Sequence, residues 1–181
     1  MSVLGLAILG KNNEPLYLCD TTFALDDVDN NSDTNAESDD LFGFSEKLRE
    51  QRHSLPLRYQ LFVHAALDWL EEEVDLQNGL MPVLISNKQH PHWLGLLYNV
   101  DDGGPSVYGY ITATNIKFLL LLAKYEKNDE NKVKDLLADI HQSYIAYVMN
   151  PFSNATGFIE SPGFDEKIKV FVRQFEKSKT T

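Results

Sequence analysis

The chain has 181 residues, 43% hydrophobic and 11% aromatic, enough for one domain with a substantial core. Asp and Glu number 27 against 16 Lys and Arg, and the resulting formal net charge of −11 argues against a nucleic-acid backbone or an anionic lipid surface as the main ligand. A single cysteine, Cys19, excludes an internal disulfide framework and any multi-cysteine metal site, and suits a reducing compartment.

Val3-Leu-Gly-Leu-Ala-Ile-Leu9 is an apolar run of strand length. Gly10-Lys-Asn-Asn-Glu14 carries turn chemistry, and Pro15-Leu-Tyr-Leu-Cys19 is a second run, so the pair reads as a β-hairpin. The first strand is apolar on both faces, which predicts a place inside the sheet.

Eight acids and no Lys or Arg lie between Asp20 and Asp40, leaving −3 of the −11 for the rest of the chain. This segment is rich in Asp, Asn, Ser and Thr and reads as a disordered acidic insert, about residues 22–55, in a shorter parent loop. Ser45 to Arg52 allows a short helical turn.

Pro56 then opens a helix, Leu57 to about Val74, because proline fits a first helical turn. Tyr59, Phe62, Val63, Ala66, Leu67, Leu70 and Val74 make one apolar stripe at helical spacing. Opposite it lie Leu57, Leu61, His64, Ala65, Asp68 and Glu72, half apolar and half acidic, a mixture that a plain solvent face does not require.

Trp93-Leu-Gly-Leu-Leu-Tyr98, Val107-Tyr-Gly-Tyr-Ile-Thr112 and Ile116 to Ala123 read as a three-stranded meander, with Asp101-Asp-Gly-Gly-Pro105 as a turn. A second helix spans about Asp129 to Met149, with Val133, Leu136, Leu137, Ile140, Tyr144 and Val148 on its stripe. Asn150-Pro151 stops it. A third begins near Pro162 with Phe164, Ile168, Phe171, Val172 and Phe175 inward. The order β-β-α-β-β-β-α-α is an α+β sandwich of a five-stranded antiparallel sheet and helices, in a single domain over 1–181. No segment is long and apolar enough to span a bilayer, and no basic n-region of a secretory signal is present.

Several residues invite chemistry. His90 and His92 could share a strand face and a metal, but no acid or cysteine completes a ligand set, and Pro91 fits a loop. His64 and Asp68, four apart on a helix, suit an ion pair better than a catalytic dyad, since no nucleophile accompanies them. Cys19 is followed by acids, which disfavour a thiolate, so an inert thiol is expected. Gly103-Gly104 lacks the spacing of a phosphate loop, and Glu71-Glu72-Glu73 reads as a solvated face. Asn150-Pro151-Phe152 has two readings. It can be a short linear ligand motif, or a helix stop in which Asn caps, Pro ends the helix and Phe returns to the core. The second is the expectation. No catalytic constellation, cofactor or metal is expected. The half-apolar stripe on the first helix points to protein partners.

Three segments carry a family resemblance: His64-Ala-Ala-Leu-Asp68 in the first helix, Asn150-Pro-Phe152 after the second, and Ser161-Pro-Gly-Phe-Asp165 leading into the third. Together they resemble the sedlin family of TRAPP (trafficking protein particle) subunits, which have the longin fold, with one helix on one sheet face and two on the other. Leu94-Gly-Leu-Leu-Tyr98, Val107 to Thr112, Ile116-Lys-Phe118 and the Gly10 to Tyr17 hairpin are similar to the subunit 2-like branch of that family.

The resemblance covers nearly the whole chain except about Thr22 to Leu55. It implies a non-enzymatic adaptor in a Rab nucleotide-exchange complex of ER–Golgi and Golgi traffic. Such a subunit docks on core subunits, helps hold the large subunits of the Golgi form, and reaches the Rab GTPase only through the complex. It would be cytoplasmic and peripheral to Golgi membranes, with no nucleic acid and no membrane insertion. By match to the helix signature, Asp68 takes a subunit-contact role, with Leu57, Leu61, Ala65 and Glu72 beside it as the expected interface. Two other readings remain open. Of other longin-type modules, a SNARE-regulatory domain would carry a heptad segment after the domain, and an adaptor small subunit would lack the two motifs after residue 149. A small hydrolase would need a nucleophile beside a base.

Overall fold

In the computed structural model, residues 2–21, 55–79, 92–100, 104–123, 130–153 and 157–177 are described, with only the helical course given over 71–79. The elements in chain order are β1 (Val3–Leu9), β2 (Pro15–Asp20), α1 (Leu57–Gly79), β3 (Trp93–Asn99), β4 (Ser106–Ile111), β5 (Lys117–Leu122), α2 (Glu130–Val148) and α3 (Pro162–Lys177). The expected acidic insert up to residue 54, the helical turn at Ser45 to Arg52, His90 and Gly103 lie outside the described residues, whereas Leu55, at the expected end of the insert, is buried in the core.

The strands form one antiparallel sheet in the order β2-β1-β5-β4-β3. β1 and β5 are apolar on both faces and take interior places, where each face meets a helix layer. Their register sets Leu6 opposite Leu120 and Ile8 opposite Phe118. Alternation along β5 then divides the core in two. Phe118, Leu120 and Leu122 point to a layer with Val133, Leu137 and Ile140 of α2 and Phe164, Ile168 and Val172 of α3. Leu119 and Leu121 point the other way, to Val63, Ala66, Leu67 and Leu70 of α1. The sandwich thus has one helix on one face and two on the other.

The short connections follow from turn chemistry. Asn13 and Asn115 stand at φ 62° and 61°, in the β1–β2 and β4–β5 turns. Asparagine accepts that left-handed conformation more readily than other side chains. The Pro56 carbonyl accepts from Tyr59 N at 2.8 Å and Gln60 N at 3.1 Å, so α1 starts just after the proline and continues past Val74. Ser161 caps α3: its carbonyl accepts from Asp165 N at 3.0 Å, its hydroxyl lies 3.4 Å from Phe164 N, and Pro162 takes the first helical position.

The edge strand β3 is irregular. Gly95 at φ 85° sits in the register shift between Trp93 and Gly95, and a second shift follows between Leu96 and Tyr98. Its side chains are held by stacking, Trp93 on Tyr108 at 5.9 Å and Tyr98 on Phe62 at 6.3 Å. The opposite edge is partly covered, since Ile159 N donates to the Leu16 carbonyl at 2.7 Å. Two expectations about the core need correction. Val148 ends the α2 stripe but is 37% exposed, while Tyr144 and Tyr147 beside it still pack on the core. Phe152 does not return to the core and is exposed, while Phe164 is buried as expected, edge-on to Tyr17 at 5.1 Å.

Candidate functional site

The face of α1 turned away from the sheet holds most of the expected site. With 3.6 residues per turn, Leu57, Leu61 and Asp68 fall on one line down the helix, opposite the buried Val63, Ala66 and Leu70. Leu57 is 73% and Leu61 62% exposed. His64 and Asp68 are exposed and Ala65 is half-buried. The Glu72 side chain lies outside the described residues. Among the described residues, His64 and Asp68 have no hydrogen-bond or ion-pair partner, so the expected pair between them does not form. Two short side chains in water gain little from such a contact against its entropy cost.

Trp69, 56% exposed, joins this surface and was missed in the sequence. The signal was available: 57, 61, 65 and 69 are a row of i+4 neighbours, and three of the four are large and apolar. Trp69 falls at the margin between the outward arc and the core stripe, where spacing alone does not choose. The result is a ridge of two leucines and an indole around one aspartate. Such a surface is costly to leave in water and suited to cover by another protein, where large apolar anchors flank a few charges.

Two polar clusters lie elsewhere. On the α2 side of the sheet, the His92 Nδ1–H donates to the Ile111 carbonyl at 3.0 Å, and the Tyr110 hydroxyl hydrogen-bonds His141 Nδ1 at 3.2 Å. The two imidazoles meet at 6.2 Å between centroids. Burial, then the neighbouring His92, holds His141 below the ordinary histidine value. His92 therefore packs on an aromatic cluster rather than sitting in an exposed loop pair. Among the described residues no group of three or more His, Cys, Asp or Glu side chains is placed to hold a metal ion.

The second cluster is at β2. Cys19 is buried, and its thiol donates to the Asp20 carbonyl at 3.6 Å. Burial, first, and the charges of Asp165 and Asp20 push it up to about 11, so the thiol is protonated at neutral pH and a poor nucleophile. The acids beside it act as expected, but burial is the larger cause. Tyr17 is raised above the ordinary tyrosine range, again chiefly by burial.

A groove of about 190 Å³ lies between α2 and α3, where Lys132, Asp135 and Asp139 face Phe171 and Phe175. It sets no nucleophile beside a base. No helix among the described residues is long and apolar enough to cross a membrane.

The sequence is similar to known proteins over most of its length. The trafficking protein particle complex subunit 2-like protein of Mus musculus is 25% identical over 164 residues, 90% of this chain and 91% of that protein. The subunit 2-like protein of Dictyostelium discoideum is 27% identical over 168 residues, 92% of this chain and 93% of its own. Trafficking protein particle complex subunit 20 of Saccharomyces cerevisiae is 25% identical over 190 residues, 93% of this chain and 95% of its own. The Sedlin family model matches residues 8–174, and the chain belongs to the Sedlin family.

Proposed function

We propose that this chain is a non-catalytic adaptor subunit of a TRAPP complex in ER–Golgi and Golgi vesicle traffic. It docks on core subunits through the outward face of α1 and helps hold the larger subunits of the Golgi form. The observation that carries this reading is the ridge of Leu57, Leu61 and Trp69 around an exposed Asp68, with no cover from the chain's own described residues. Membership of the Sedlin family, with relatives named as TRAPP subunits over nine-tenths of their length, supports the same reading. Glu72 and Ala65 complete the proposed contact. The Rab GTPase is reached through the complex, and the chain needs no cofactor, nucleic acid or membrane insertion for this work.

Isolating the TRAPP complex through a tag on a core subunit tests the proposal. Asp68→Arg leaves circular dichroism and the unfolding midpoint nearly unchanged, because Asp68 is solvated in the free protein. It weakens retention in the complex by well over tenfold, since reversing one member of a desolvated charge pair costs at least the ~2–5 kcal/mol of truncating it. Leu61→Asp has the same effect. Normal retention of both variants would place the docking face elsewhere. Release of fluorescent nucleotide from Rab proteins by the purified chain alone would overturn the non-catalytic reading.

A further inference from the structure

β3 ends the sheet order, and two register shifts interrupt its ladder with β4. Its entry is held by His92. The His92 carbonyl accepts from Ile111 N at 2.9 Å, and the His92 Nδ1–H donates to the Ile111 carbonyl at 3.0 Å. The imidazole then meets Tyr110 at 5.7 Å and His141 at 6.2 Å between centroids. Hydrogen bonds thus join His92 to β4, and its ring joins it to α2. Across this contact His141 is caged by aromatic rings, Tyr110 at 5.4 Å and Phe118 at 5.5 Å. Tyr144, on the next turn of α2, packs on the same Phe118 at 5.7 Å.

This cage suits a neutral His141 better than a charged one. The titratable groups around it are His92 at the entry of β3, Tyr110 of β4 and Tyr144 of α2, and β5 presents the uncharged Phe118. Along α2 the residues three and four positions away are Leu137, Ala138, Tyr144 and Ile145. Asp135 and Asp139 face Phe171 and Phe175 of α3, and Glu14 at the end of the β1–β2 turn acts on Tyr144. Among the described residues no carboxylate pairs with the His141 ring. A neutral imidazole leaves one nitrogen bare, able to accept from the Tyr110 hydroxyl. In the imidazolium both nitrogens donate, so the hydroxyl turns acceptor and its hydrogen loses that partner. A second charge on His92 would add repulsion. Burial, then this neighbour, holds His141 below the ordinary histidine value.

We infer that the contact between His92 and His141 is a proton-operated latch, which fastens the entry of β3 to α2 while His141 is neutral and releases it on mild acidification. The open form takes up a proton that the closed form resists, so opening is favoured as pH falls. The middle of the sheet stays closed, because β1 and β5 are held by apolar pairs such as Leu6 with Leu120 and Ile8 with Phe118, which carry no titratable group. Between pH 7.5 and 5.5 histidine is the side chain that changes charge at its ordinary value. Releasing one histidine to its ordinary value of 6.5 shifts the opening equilibrium by at most about tenfold over that interval.

Hydrogen exchange in the full chain tests the latch, because the Ile111 N–H is bonded to the His92 carbonyl and reports whether that residue stays in place. Its protection factor is expected to fall about threefold to tenfold from pH 7.5 to pH 5.5. It should stay level in dilute urea, the mark of a local opening, while that of Leu120 in β5 falls. His141→Phe keeps a ring in the cage and should remove the pH dependence at Ile111. Imidazole titration of the unaltered chain by NMR needs no variant, and His141 should titrate below its ordinary value. Level Ile111 protection across the pH range, or a urea dependence as steep as that of Leu120, overturns the latch. So does a pH response that persists in His141→Phe. A His141 that titrates at or above its ordinary value overturns it too, since the rings would then stabilise the imidazolium.

Discussion

Leu55 fills the space that a side chain on Gly5 would take: a Cβ there would meet Leu55 Cδ2 at 2.4 Å and the Cys19 carbonyl oxygen at 3.2 Å. Leu55 is fully buried on the α1 side of the sheet, and Gly5 is paired with Asp20 on β2. Gly5→Val therefore has to displace Leu55 against backbone that cannot yield. Overpacking of this kind costs about 1–3 kcal/mol. Thermal unfolding should fall by several degrees, and Gly5→Val with Leu55→Ala should recover part of the loss.

The same contact anchors the ends of the acidic segment. Thr21 is buried, with its hydroxyl donating to the Val3 carbonyl at 2.6 Å and its N–H to the Leu4 carbonyl at 3.4 Å. Thr21 and Leu55 are thus both tied to the first residues of β1. Replacing Ala24–Gly43 by a short Gly/Ser linker keeps both anchors. Each halving of a flexible loop changes closure entropy by only about 0.6 kcal/mol. The unfolding midpoint is expected to stay within a few degrees, and a large fall would show that the replaced residues pack.

Phe164 and Phe152 should separate in mutagenesis. Phe164 is buried between Tyr17, at 5.1 Å, and Tyr147, at 5.8 Å. Phe164→Ala should cost ~3–5 kcal/mol and lower the midpoint by roughly 10 °C for a domain of this size. Phe152→Ala should leave it nearly unchanged. Equal effects would mean that Phe152 packs in solution.

Stability should decline in alkali through Cys19. Its folded value, about 11, lies above the ordinary thiol value of 9.0 because burial disfavours the thiolate. The folded state then holds a proton that the unfolded state has lost, so this contribution is full below pH 9 and disappears as pH rises toward 11. Buried Tyr17 contributes in the same direction from pH 10, its ordinary value, upward. Chemical denaturation at pH 8 and pH 10 measures the loss, and Cys19→Ala should flatten the part below pH 10. A Cys19→Ala profile as steep as the parent would assign the effect to other groups.

Elements with a repeating pattern were legible in the sequence. The five strands, three helices and their order follow from apolar spacing, and Val63, Ala66, Leu137, Ile168 and Val172 are buried where that spacing puts them. What escaped was set by contacts rather than period. Phe152 follows the Pro151 turn and stays exposed, whereas Phe164 lies on the α3 stripe and is buried where that spacing puts it. Trp69 sits where the two faces of α1 meet. His92 looked like part of a loop, but Ile111 and His141 draw it onto the sheet. On the candidate surface, Leu57, Leu61 and Asp68 were readable from helical geometry, while the missing His64–Asp68 pair depends on side-chain freedom that spacing does not report.

β1 is also tied to elements far along the chain. Val3 N donates to Glu176 Oε1 at 3.1 Å across 173 positions, and Ile8 of β1 pairs with Phe118 of β5. β1 is therefore an interior strand whose inner neighbour, β5, and covering helices, α2 and α3, are synthesised well after it. Until they emerge, its apolar faces stand open, with β2 as an early partner. Contacts this distant in sequence make for slow folding and a window of exposure to aggregation. Cells making this protein must shelter β1 until α3 is synthesised.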